Sequence, residues 1–239
     1  TTLSLSALRN MSTTTPASPP APSSPVDKAP EWLRPYLHLA RLDKPIGTWL
    51  LLLPCYFGAA LGAGAGAVPS PELIAAFAIG SVAMRGAGCT VNDMWDVKFD
   101  KSVERTKTRP LASGALTRPK AAAFLLLQCL AGLATLPVMG GANTAAIAFA
   151  SLPWVVAYPL MKRFTNYPQA VLGVTFNWGI YVGYAAVQNA VDLGVLLPLH
   201  LAGVAWTIFY DTIYAHQDKD DDIKIGVKST ALHFGDNTR

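Results

Sequence analysis

Nine of the 15 acidic residues fall in two short windows: Asp93, Asp96, Asp100 and Glu104 in the first, and Asp211, Asp218, Asp220, Asp221 and Asp222 in the second. In the first window Asp93, Asp96 and Asp100 stand at i, i+3 and i+7, one face of a helix with 3.6 residues per turn. In the second, Asp211, Tyr214, Asp218 and Asp222 follow at i, i+3, i+7 and i+11, again a single stripe. Carboxylates crowded in this way repel one another unless cations lie between them. Their hard oxygen donors suit Mg²⁺, which is commonly held by one or two carboxylates together with substrate phosphates. A diphosphate would complete such coordination. Arg105, Lys107 and Arg109 after the first stripe, and Lys224 and Lys228 after the second, could neutralise its remaining oxygens. An acidic helix end alone is often a solvated cap. Two clusters, each followed by bases, point instead to a site whose candidate metal ligands are Asp93, Asp96, Asp100, Asp211, Asp218 and Asp222. A divalent-cation channel would also use a vestibule of acids, but the adjoining bases would repel its ion.

The elements that must carry these residues are apolar. The 239 residues are 51% apolar and 14% charged, with a mean hydropathy of +0.31; a soluble domain averages about 25% charged. The net charge of +4 does not indicate nucleic acid, because the basic residues sit between long uncharged runs rather than on one patch. Uncharged stretches near 46–66, 72–91, 119–137, 142–161, 168–187 and 194–213 each approach the roughly 20 helical residues that cross a bilayer. Six transmembrane helices are therefore expected, in an all-α membrane bundle. Their Gly and Ala content favours close helix packing in lipid, and Pro54, Pro137, Pro153, Pro159 and Pro198 are tolerable there. The first, third and fifth connections contain no Lys or Arg, and every base except Arg85 lies in the terminal segments or the second and fourth connections. Six crossings place those basic regions, and with them both acidic windows, on the positive-inside face.

Residues 1–30 form a separate zone of Ser, Thr, Ala and Pro, expected to be a disordered tail or a targeting leader, mitochondrial before chloroplast. Cys55, Cys89 and Cys129 are widely spaced within apolar segments and read as buried thiols. Arg85 is the one charge inside a span, which makes a functional or structural pairing the default expectation. Lys162 and Arg163 close the fourth span and could anchor it at the interface or meet an anion. His216 lacks partners at zinc spacing and reads as solvated.

The motif Asn92-Asp93-x-x-Asp96-x-x-x-Asp100, followed by Arg109-Pro-Leu-Ala-Ser-Gly114, resembles the first signature of the UbiA superfamily of intramembrane prenyltransferases. The segment Asp211-Thr-Ile-Tyr214-Ala-His-Gln-Asp218-Lys-Asp-Asp-Asp222-Ile-Lys-Ile-Gly-Val-Lys228 resembles the second. Ala40-Arg-Leu-Asp-Lys-Pro-Ile-Gly-Thr48 and Tyr158-Pro-Leu-Met-Lys-Arg-Phe-Thr-Asn-Tyr-Pro-Gln169 are similar to the branch that prenylates 4-hydroxybenzoate in ubiquinone synthesis. The resemblance runs over residues 34–239. It implies a UbiA-type fold, Mg²⁺ as cofactor, polyprenyl diphosphate and 4-hydroxybenzoate as substrates, and a multi-pass place in the mitochondrial inner membrane with the aspartates on the matrix side. Other proteins of ubiquinone synthesis are candidate partners. Asp96, Asp218 and Arg163 are then expected to act in catalysis. Asn92, Arg85, Arg105, Lys107, Arg109, Lys162, Tyr214, Lys224 and Lys228 are expected around the substrates. Homogentisate, a porphyrin or a lipid glycerol are the alternative acceptors in the superfamily. The family has nine transmembrane helices, so residues 31–239 are expected to be a partial domain lacking the last three.

Overall fold

Helix punctuation in the sequence is matched by the computed structural model, which describes residues 24–219, 222–223 and 226–238. Ser70 accepts a hydrogen bond from the Leu73 N–H at 3.2 Å and Pro71 occupies the first turn, starting a helix that runs from Pro71 to Asp100. All regular structure among the described residues is helical: α1 Arg34–Leu39, α2 Ile46–Ala63, α3 Pro71–Asp100, α4 Arg118–Thr135, α5 Ala142–Phe149, α6 Leu152–Phe164, α7 Pro168–Asn177, α8 Gly179–Gln188, α9 Leu193–Ala215 and α10 Thr230–Phe234, with short 3₁₀ turns between some of them. Of the N-terminal zone, residues 1–23 lie outside the description, and Pro25–Lys28 form a 3₁₀ turn capped by Ser24.

Five stretches among the described residues are long and apolar enough to cross a membrane: α2, α3, α5 with α6, α7 with α8, and α9. The remaining expected span, the third in order, is also a full helix, α4, whose first turn carries Arg118 and Lys120. At 1.5 Å per residue the 30 residues of α3 extend about 45 Å, beyond a hydrocarbon layer of about 30 Å. Its last turns, with the first aspartate stripe, therefore have length to project past the apolar core.

Two of the expected continuous spans are broken. Pro153 has no N–H to offer the carbonyl of Phe149, and the Ser151 N–H turns to Ala148, so the chain restarts as α6. That turn releases the carbonyl of Ile147, which accepts a hydrogen bond from Trp178 Nε1 at 2.9 Å. Trp178 itself marks the break between α7 and α8. The Tyr181 N–H bonds to Trp178, which frees the Asn177 carbonyl, and His200 Nδ1 of α9 lies 3.2 Å from it. The freed carbonyls of Ile147 and Asn177 thus each meet an aromatic nitrogen from a neighbouring helix, as an apolar medium favours.

Small residues decide the tightest crossing. A Cβ on Gly58 of α2 would collide with the carbonyl of Ile180, and one on Gly183 of α8 with the carbonyl of Cys55, so the α2 and α8 backbones touch directly. Gln188 Nε2 donates to the Gly62 carbonyl at 2.6 Å at the end of the same crossing. Cys55 and Cys89 are buried free thiols, as the sequence suggests, and Cys129 is half-buried. Half of α3 is buried against 6% of the α5–α6 stretch, so α3 is an inner helix and α5–α6 faces outward.

Candidate functional site

One polar cavity gathers residues from the C-terminal ends of α6 and α9 and from the segments that follow α3 and α9. It measures about 130 Å³ and is lined by Arg105 beyond α3, Tyr158 and Lys162 of α6, Asp211 and Tyr214 of α9, and Asp222 and Lys228 from the segment that follows. Basic side chains in the last turn of a helix also offset the partial negative charge of its carbonyls. Lys162 interacts electrostatically with Tyr158, Asp222 and Asp211, and with Asp96 of the first stripe. One lysine thus sits in the field of both aspartate windows.

The walls are tied together by hydrogen bonds. The Lys228 N–H donates to the Lys162 carbonyl at 2.8 Å, which fastens the segment after the second stripe to α6. The next residues continue the seam: Ser229 caps α10, the Thr230 N–H donates to Gln169 Oε1 at 3.2 Å, and the hydroxyls of Thr212 and Thr230 are 2.6 Å apart. Arg105 donates to the Tyr214 hydroxyl at 3.0 Å. Arg163 packs its guanidinium 5.9 Å from the centre of the Phe99 ring, within the field of Asp96.

The first stripe is divided between two environments. Asp93 is 1% exposed, and Arg41 grips both of its oxygens, at 2.7 and 2.9 Å. Arg109 Nη1 reaches Asp93 at 3.2 Å and both oxygens of Asp100 at 3.0 Å. Asp93 and Asp100, expected as metal ligands, therefore have guanidinium partners. Asp96 is half-buried and lies in the field of Lys162, Arg163 and Arg109. Among the described residues no three His, Cys, Asp or Glu side chains are gathered closely enough to hold a metal ion by themselves.

The other expected residues are dispersed. Lys107 is exposed and pairs with Glu104 at 2.6 Å instead of entering the cavity. Asn92 is half-buried on α3. Arg85 lies deeper in the bundle, against Gly47 where any Cβ would strike its guanidinium, and in the field of Tyr158 and Tyr210. The side chain of Asp218 and the whole of Lys224 lie outside the described residues. His216, expected to be solvated, is half-buried with Nε2 2.9 Å from the Thr238 hydroxyl. Sequence reasoning gave no role to Arg41, Tyr158 or Gln169. Tyr158 could have been found, since it precedes Lys162 by four residues and shares its helix face.

A family model described as the UbiA prenyltransferase family matches residues 51–239. The chain belongs to this family. Among its UbiA relatives, the mitochondrial 4-hydroxybenzoate polyprenyltransferase of Arabidopsis thaliana is 54% identical over 210 residues, 88% of this chain and 51% of that protein. The human protein of the same name is 50% identical over 214 residues, 90% of this chain and 57% of that one. The chain thus spans about half the length of the curated relatives it matches. The apo structure of a UbiA homolog from Aeropyrum pernix K1 superposes with a TM-score of 0.67 at 26% identity, covering 79% of this chain and 70% of that one. A UbiA homolog from Archaeoglobus fulgidus, solved bound to GPP and Mg²⁺, gives 0.64 at 19% identity over 84% and 69% of the two chains, and so shares the fold.

Proposed function

We propose that this UbiA-family chain carries the diphosphate-binding half of a 4-hydroxybenzoate polyprenyltransferase of ubiquinone synthesis, set in the mitochondrial inner membrane with its aspartate windows on the matrix side. The carrying observation is that Asp211 and Asp222 of the second window line one cavity with Lys162, Arg105 and Lys228, while Asp96 of the first window lies in the field of the same lysine. The cavity suits a diphosphate, since Lys162, Arg105 and Lys228 supply positive charge. The same cavity suits Mg²⁺, because Asp211 and Asp222 present hard oxygens beside those bases, and one or two carboxylates plus phosphate oxygens make the usual shell. Asp96 and, from the sequence, Asp218 would complete the acidic set. When bound, Mg²⁺ supplies charge that stabilises the departing diphosphate.

Lys162 and Arg105 hold the diphosphate oxygens while the prenyl chain stays in the apolar bundle, and Arg163 adds positive charge near Asp96. The bond between the allylic carbon and the diphosphate oxygen breaks, and that oxygen keeps the electron pair. The ring carbon of 4-hydroxybenzoate ortho to the phenol bonds to the allylic carbon and then gives its proton to an oxygen of the departed diphosphate, which restores the aromatic ring. Exclusion of water from the bundle limits capture of the allylic cation by hydrolysis. Arg85, half-buried in the bundle near Tyr158 and Tyr210, would receive the benzoate carboxylate. The sequence similarity to mitochondrial 4-hydroxybenzoate polyprenyltransferases supports this acceptor over others of the family. The cation-channel alternative loses support because Lys162 shares the cavity with Asp211 and Asp222 and its charge would repel a passing cation.

Calorimetry of the purified chain in lipid nanodiscs with inorganic diphosphate tests this reading. Binding that requires Mg²⁺ and is lost in Asp222→Asn supports it; binding indifferent to both contradicts it.

A further inference from the structure

Arg41 occupies a backbone position that favours glycine. The Leu42 N–H bonds back to the Leu37 carbonyl and the Arg41 N–H to the His38 carbonyl, the two bonds of a Schellman motif that ends α1. Arg41 is the left-handed residue of that motif, with φ of 57°, one of two non-glycine residues with positive φ among those described. A Cβ is disfavoured there, and strained backbone of this kind persists where the surrounding structure holds the residue in place. Here the side chain supplies the hold. Nη1 donates to the His38 carbonyl at 2.8 Å, and Nη2 reaches both oxygens of Asp93, 52 positions away in the chain.

We infer that Arg41 is a positioning residue for the first aspartate window, acting through Asp93 to turn Asp96 toward Lys162. This rests on the proposed diphosphate site. Arg41 fixes Asp93 to the segment before α2, and Arg109 ties Asp93 to Asp100 one helix face along. Asp96 lies between these two clamped positions, so the last turns of α3 cannot rotate without breaking them. The clamp also sorts charge. Two guanidiniums offset the carboxylates of Asp93 and Asp100, which would otherwise compete for the cation and repel the diphosphate. Asp96 lies between the clamps in the field of Lys162, Arg163 and Arg109, with Asp100 beside it. Lysine could keep the charge of Arg41 but not its two-pronged grip.

The test uses Arg41→Lys, Arg41→Gln and the double variant Arg41→Gln/Asp93→Asn, each checked for native helical circular dichroism. Mg²⁺-dependent binding of inorganic diphosphate is measured by calorimetry. Binding is expected to weaken about 10- to 100-fold in both single variants, the usual effect of losing an outer partner of a ligand shell. The double variant, which leaves no stranded carboxylate, recovers part of the loss. Native affinity in Arg41→Lys and Arg41→Gln, or no recovery in the double variant, overturns the inference. A second readout does not depend on diphosphate: the electron-spin distance between labels at Trp95 of α3 and Phe164 of α6, with the native cysteines replaced by serine. It should shift or broaden in Arg41→Gln and return toward native in the double variant; an unchanged distance overturns the inference. If Arg41→Gln does not fold, Arg41→Lys decides by the same two readouts. A wild-type chain that binds no diphosphate overturns the proposed function, while the spin distance still decides the role of Arg41.

Discussion

The backbone N–H of Lys228 donates to the carbonyl of Lys162 at 2.8 Å, joining the strand of chain that leaves the second aspartate window to the end of α6. The bond lies beside the cavity that Lys162 lines with Asp211 and Asp222, and the same lysine feels the charge of Asp96. A backbone bond fixes where the second window returns, and a side chain reads its charge.

Lys162→Met keeps the length of the side chain and removes its charge. Diphosphate binding should weaken about 10- to 100-fold, as expected when a charge-assisted hydrogen bond worth about 1.5–3 kcal/mol is lost. Calorimetry with inorganic diphosphate and Mg²⁺ checks this, and circular dichroism should show an unchanged fold.

Removal of divalent cations should act on the same step. Prenyl transfer in membranes containing the protein is expected to stop in excess EDTA and to resume on addition of Mg²⁺, measured as product by mass spectrometry. Transfer that persists in the chelator would count against the proposed use of the acids.

Trp178→Phe should destabilise the bundle by about 1–3 kcal/mol, the cost of leaving a buried acceptor unmade. The lost bond is the one from Trp178 Nε1 to the Ile147 carbonyl. Thermal unfolding in detergent reads the change, with little effect expected on diphosphate binding by the folded fraction.

Gly183→Ala should be more harmful than Gly88→Ala. The first places a methyl against the Cys55 carbonyl at the α2–α8 crossing, whereas a Cβ on Gly88 meets nothing within 4 Å. Overpacking costs about 1–3 kcal/mol, and a rigid backbone neighbour leaves little room for relief. The yield of monodisperse protein and its unfolding temperature compare the two.

These residues also show what a linear sequence can convey. The uncharged runs announced helices because an apolar medium leaves few other structures for them, and all six expected segments are helical. The stripe of Asp93, Asp96 and Asp100 was legible because helical periodicity is local. Its division was not, since the partner that claims Asp93 comes from Arg41, 52 positions earlier, in a backbone conformation that no composition signals. The breaks at Ser151 and Trp178 were hidden for a similar reason. Proline is tolerated in a membrane helix or interrupts it according to which neighbour supplies a donor, and that donor, Trp178, lies 31 positions from Ile147. Lys162 and Arg163 could be read equally as interfacial anchors, because only the folded chain brings Asp211 and Asp222 beside Lys162.

If the two aspartate windows form one prenyl-transfer site, loss of a carboxylate from either should abolish product. Membranes from cells expressing the protein, or its Asp96→Ala and Asp218→Ala variants at equal abundance, should be supplied with 4-hydroxybenzoate, polyprenyl diphosphate and Mg²⁺. Mass spectrometry of the extracted lipid should find ring-prenylated 4-hydroxybenzoate with the native protein and none with either variant. Product formation at native levels by both variants would contradict the account.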